Sequence, residues 1–252
     1  MTTTPTNVGD LPVAYSTLTE ATMSLEQSTD DAGSNPATHS PRPGRSKSGM
    51  RQWLIALLLA LVSAIPIAVG IYVLAELSAG HIRPETIRHL ASPVPVVLHV
   101  ASAAIYATLG ALQFVSAFRR RFPRWHRIVG RILLVCGLIA GLSGLWMTLF
   151  YTHLADTNDL LVAIRIVFSS ALIAFIALGF IAIRSRDIPR HRAWMMRAYA
   201  VGLGAGTQAL VFMVAEGVAG TPDQMGKALL MGLAWVINLV VAEVSIRQGR
   251  AE

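Results

Sequence analysis

The chain has 252 residues, of which 54% are hydrophobic and only 14% charged; its mean hydropathy is +0.55 and its formal charge +7. A soluble domain carries about 25% charged residues, so this composition excludes an ordinary soluble enzyme and points to a multi-pass membrane protein. The positive charge does not call for nucleic acid as a partner, because the arginines flank apolar runs, as they do in cytoplasmic loops of membrane proteins.

Residues 1–50 are rich in Thr, Ser, Pro, Asn and Gly and poor in large apolar side chains. Such a segment cannot bury enough surface to offset its ordering entropy, so a disordered N-terminal tail is expected. It has no short apolar core behind a basic start and does not read as a secretory signal. Its end turns basic at Arg42, Arg45, Lys47 and Arg51. Six apolar runs follow within 51–252, near 53–76, 94–117, 129–151, 161–183, 196–216 and 227–246. Each meets the roughly 20 residues a helix needs to span lipid. The fold class is therefore all-α: a six-helix transmembrane bundle behind a disordered tail. Pro93, Pro123 and Pro189 stand at helix entries, where a missing N–H has no intrahelical partner to lose. Pro66 falls inside the first run and predicts a kink there.

Orientation follows from the basic residues. All of the 21 except Arg83, Arg88, Arg165 and Lys227 fall on one side of a six-helix threading. The positive-inside rule makes that side cytoplasmic, with both termini on it, in a cell-membrane protein. Arg165 enters the fourth run near its outer end, with Asp156, Asp159, Glu76 and Glu216 as the expected salt-bridge partners.

In the second run, His99, Ser102, Tyr106, Gly110 and Gln113 recur at helical spacing along one face. A polar stripe in lipid must face the bundle interior, because hydrocarbon offers it no partner. Gly137, Gly141 and Gly144 in the third run, and Gly202 and Gly206 in the fifth, predict close helix packing; room for a flat cofactor is the alternative. Asn238, near the middle of the sixth run, is expected to bond to another helix.

Two basic turns stand out: Phe118–Arg131 and, about 65 residues on, Arg184–Arg197. Each holds Pro-Arg, then His-Arg, then a further arginine. If the prolines open helices, His126 and His191 occupy first turns at the cytoplasmic interface. Arginines there add to the positive end of the helix dipole, so an anion is expected nearby. Anionic lipid headgroups are the plain expectation. The sharper one is haem b, with His126 and His191 as iron ligands on the inner side and His99 with His153 on the outer side. Arg127, Arg131, Arg192 and Arg197 would then contact the propionates, or another anion. Walker, Ser-His-Asp, His-Glu-x-x-His zinc and dinucleotide-binding patterns do not occur.

At His99, Leu109-Gly110, Gln113-Phe114, His126-Arg127-Ile-Val-Gly130-Arg131, His191-Arg192-Ala-Trp194-Met195-Met-Arg197 and Tyr199, the chain resembles the family of bacterial multi-pass membrane proteins DUF2306. The likeness covers roughly residues 94–215. It implies a membrane location and carries no established activity. The chain departs from the family's pattern after Thr207, where Gln208 and Ala209 stand in place of an arginine. A looser likeness, of architecture alone, is to b-type cytochromes of the b561 sort.

Overall fold

The computed structural model describes residues 1–2, 45–80, 92–151 and 158–251, and the expected disordered tail lies largely outside them. Among the described residues every regular element is a helix: α1 Arg45–Ser78, α2 Pro93–Gln113, α3 Ser116–Arg121, α4 Pro123–Phe150, α5 Asp159–Arg184, α6 Ile188–Gly202, α7 Gly204–Ala219 and α8 Gln224–Ala251. Five are long and apolar enough to cross a membrane, and α6 with α7, bent by 45° where they join, is long and apolar enough when the two are taken together. All six expected spans are present.

Their ends differ from expectation at the basic turns. The second run stops at Gln113 instead of continuing to 117, because Val115 takes an extended backbone (φ −75°, ψ 99°) and starts the short α3. The third begins at Pro123 and the fifth at Ile188, each earlier than its apolar run. A helix satisfies its own backbone wherever it lies, so it continues past the hydrocarbon into the headgroup layer, where arginines are at ease.

The fifth span breaks at Leu203, between Gly202 and Gly204, two poor helix formers. Carbonyls near the break are taken up from α8: Asn238 Nδ2 donates to Ala200 O at 3.0 Å, and Trp235 Nε1 to Val201 O at 3.1 Å. Thr207 Oγ1 donates to Asn238 Oδ1 at 2.8 Å. Asn238 thus bonds across helices, as expected. Gln208, which follows Thr207, is buried and reaches Met231 O at 3.4 Å, so a neutral amide stands there.

Pro66 sits within an unbroken α1. The carbonyl it leaves without an N–H is that of Val62, and this carbonyl lies against Gly206 of α7, where a Cβ would come within 2.5 Å of it. The other interior glycines are recesses for side chains. Tyr106 fills those at Gly137 and Gly202, Tyr199 fills Gly110, and Ile173 packs on Gly141. Tyr199 Oη donates to Ala107 O at 2.7 Å, and the two tyrosine rings lie 5.9 Å apart. Close packing, not an empty slot, is what these glycines provide. α2, α4 and α6 meet around the tyrosines with Leu133, Leu172 and Ile176. Leu57, Leu58, Val135, Val218 and Val241 point outward as a lipid-facing surface.

Candidate functional site

The arginine-rich turns gather at one end of the bundle. Gln52 of α1 accepts from the N–H and hydroxyl of Ser116 at 3.0 and 2.8 Å, joining α1 to the start of α3. Arg119 of α3 lies within reach of the charge of Arg192 on α6. The Arg192 guanidinium also borders Gly249, in the last turn of α8, where its charge complements the helix dipole.

Both histidines fall in first helical turns, His126 in α4 and His191 in α6, close enough that His126 lies in the field of His191. Their surroundings differ. In the second turn the helix start, the histidine and the last arginine all have partners, and only the buried Trp194 Nε1 lacks one among the described residues. Arg186 closes α5 in the left-handed region (φ 59°), and the Asp187 N–H returns to Ala182 O at 2.9 Å. That turn places Asp187 as N-cap of α6, its Oδ1 accepting the Arg190 N–H at 3.0 Å. His191 Nδ1 lies 2.8 Å from Gly179 O on α5. Arg197 pairs with Glu243 of α8 through Nε at 2.5 Å and Nη2 at 3.1 Å, and stacks over the Trp194 ring at 4.6 Å.

The first turn is left open. Phe122, the N-cap of α4, supplies no side-chain cap. Among the described residues, His126 Nδ1 is buried with no hydrogen-bond partner, and so are both polar atoms of the Gln113 carboxamide at the end of α2. Arg119 donates to Gln113 O at 3.2 Å, and no carboxylate among the described residues pairs with it. Burial, and then the charges of Arg192 and Arg120, hold the Arg119 pKa below the usual arginine value. A half-buried cation, an unpartnered imidazole nitrogen and an unpartnered amide therefore mark the same end of the bundle. An anion would relieve the first, and a group able both to donate and to accept would serve the other two.

The remaining expected residues are more dispersed. His99 lies on the other half of α2, its Nδ1 at 3.0 Å from Ala140 O and 3.2 Å from Ser143 Oγ. His153 falls outside the described residues. Arg127 and Arg131 are exposed on α4. Among the described residues, no group of three or more His, Cys, Asp or Glu is placed to hold a metal ion. Arg119 and Glu243 were not among the sequence candidates. Arg119 is one of three consecutive arginines and nothing local distinguishes it, while Glu243 is 46 residues from the arginine it pairs with.

The model of a family described as predicted membrane protein (DUF2306) matches residues 96–246, most of this bundle. The chain belongs to that family. The match extends beyond the motifs of the two basic turns and takes in the broken fifth span and most of α8, including the Glu243 that pairs with Arg197 in this DUF2306 chain. No curated protein and no solved structure matches the chain.

Proposed function

We propose that this DUF2306 protein binds anionic, phosphate-bearing groups at its arginine-rich end, with acidic lipid headgroups as the first ligands. The observation that carries this reading is Arg119: half-buried, crowded by Arg120 and Arg192, and without a carboxylate partner among the described residues. A cation so placed is stabilised by an incoming phosphate, which also finds N–H donors in the adjacent first turn of α4. Positive-inside threading puts this end in the cytoplasm, with both termini, in the cell membrane. A reporter fused after Glu252 then reads cytoplasmic and one near Asp156 external.

The test is lipid retention by the purified full-length protein in mixed micelles. Wild type should retain phosphatidylglycerol over phosphatidylcholine, and Arg119→Gln should lower that preference several-fold while thermal stability holds. Equal retention by wild type and variant would sink the reading.

One observation favours haem b at His126 and His191 as a second reading. The 2.8 Å contact of His191 Nδ1 with Gly179 O is the kind of anchor that frees Nε2 for iron. His126 has no such anchor, and tyrosine rings fill the glycine recesses deeper in the bundle. Haem binding predicts a Soret band that weakens in His191→Ala; a colourless protein after expression with ample haem rejects it.

A further inference from the structure

The broken fifth span carries a feature that the anion reading does not use. In an unbroken helix Ala200 O would accept from the Gly204 N–H, and Gly202 O from the Gly206 N–H. Here Ala200 O accepts from Asn238 Nδ2 at 3.0 Å, and the Gly206 N–H turns to Leu203 O at 3.0 Å. Two side chains of α8, one turn apart, each hold both sides of this joint. Asn238 bonds Ala200 O of α6 and, through Oδ1, accepts from the Thr207 hydroxyl of α7 at 2.8 Å. Trp235 donates to Val201 O of α6 at 3.1 Å, while its indole nitrogen fills the place that a Cβ on Gly204 of α7 would take. Phe168 of α5 stacks on the Trp235 ring at 4.6 Å and keeps the indole there. The two halves are anchored unequally. α6 packs against α5 and α8 and is tied by His191 to Gly179 O, by Tyr199 to Ala107 O and by Arg197 to Glu243. α7 packs chiefly against α1 and α8, and is tied close to the joint, by Thr207 and Gln208. Towards its far end Met213, Val214 and Val218 are exposed.

We infer that the fifth span is a two-state element, held bent by the clasp of Asn238 and Trp235, and that α7 is the half that moves. Straightening returns Ala200 O to the Gly204 N–H and Gly202 O to the Gly206 N–H. The backbone regains what the clasp gives up, so the two packings lie close in free energy. The movement frees Trp235 from the notch at Gly204. It sweeps the tip of α7, about 24 Å from the joint at 1.5 Å per residue, through on the order of 20 Å. That sweep parts α7 from α1 and uncovers two buried polar groups, the Val62 carbonyl against Gly206 and the Gln208 amide. Hydrocarbon satisfies neither, so the open state admits water. α7 is thus a gate to polar groups inside the bundle. The inference is independent of Arg119 and of both basic turns.

The experiment is a spin-label distance measurement by pulsed electron resonance on the full-length protein in lipid nanodiscs. Cys136→Ser removes the native thiol, and labels go on Val218→Cys near the tip of α7 and Phe150→Cys at the end of α4, both exposed positions. The otherwise unaltered chain should give one main distance. Gly204→Ala puts a methyl where the indole sits and raises helix propensity, so it should show a second, discrete distance displaced by on the order of 10 Å. Asn238→Leu removes two bonds of the clasp without touching the notch, and should move the ratio of second to first distance by roughly tenfold. Leucine is close to asparagine in shape, so this variant carries the test where the glycine change stops the protein folding. The original distance alone in Asn238→Leu would show that the glycines, not the clasp, set the bend, and would overturn the inference. A broad smear without a second peak overturns it too, because that marks a loosened helix in place of two packings.

Discussion

The two basic turns read alike in sequence and are built for different work. Around Arg184–Arg197 the histidine has a backbone carbonyl, the helix start has an aspartate cap, and the last arginine has a glutamate. Around Phe118–Arg131 the histidine nitrogen and the neighbouring Gln113 amide have no partner among the described residues, and Arg119 has a backbone carbonyl but no carboxylate. The contrast teaches that a shared motif specifies a position at the membrane interface and leaves its chemistry to whatever packs against it. Partnered polar groups hold the bundle together; unpartnered ones, which are more numerous at the first turn than at the second, cost stability and leave capacity to bind.

Six substitutions break or sharpen that contrast. The largest effect should come from Glu243→Ala, which strips the second turn of its bidentate ion pair. Since both side chains keep some solvent contact, at 20% and 37% exposure, the loss should be about 1–2 kcal/mol, below that of a fully buried pair. Thermal unfolding in detergent measures it, and no loss would mean that the pair is incidental.

The histidines come next and should differ in sign of importance. His191→Ala removes a hydrogen bond and should cost about 1 kcal/mol. His126→Ala removes an imidazole nitrogen that is already unpartnered and should cost much less. Equal losses would erase the distinction between the turns. Gln113→Leu should be neutral or stabilising by up to about 1 kcal/mol in lipid-free detergent, because it deletes two buried polar atoms that lack partners. A marked destabilisation would reveal a water or lipid bonded to that amide even in detergent. The smallest effect belongs to the exposed arginines of the first turn: Arg127→Ala and Arg131→Ala should each stay within about 0.5 kcal/mol. A larger change in either would place the site further along α4 than Arg119 and Gln113 do.

How legible this was depends on the range over which each feature is decided. The stripe through His99, Tyr106, Gly110 and Gln113 followed from helical spacing, and Tyr106 and Gly110 indeed face α4 and α6. The prolines at 93, 123 and 189 marked helix starts because their effect is local. The arginine-rich ends of the helices were less legible, since apolar content sets where a span crosses hydrocarbon and says nothing of how far the helix runs beyond it. The bend at Leu203 was not expected: its glycines permit a break, but Asn238 and Trp235, on a different helix, cover the carbonyls beside it.

By itself the sequence determined the membrane environment, the six spans and the gathering of arginines on one side, because each depends on some 20 consecutive residues and on simple transfer energetics. Only the tertiary structure decided which polar groups are satisfied. Gly179 finds His191, Glu243 finds Arg197, and none of the described residues finds the Gln113 amide. Those pairings join different helices, and in lipid, where apolar burial does not choose between neighbouring helices, they are set by close packing at glycine recesses that no local pattern encodes.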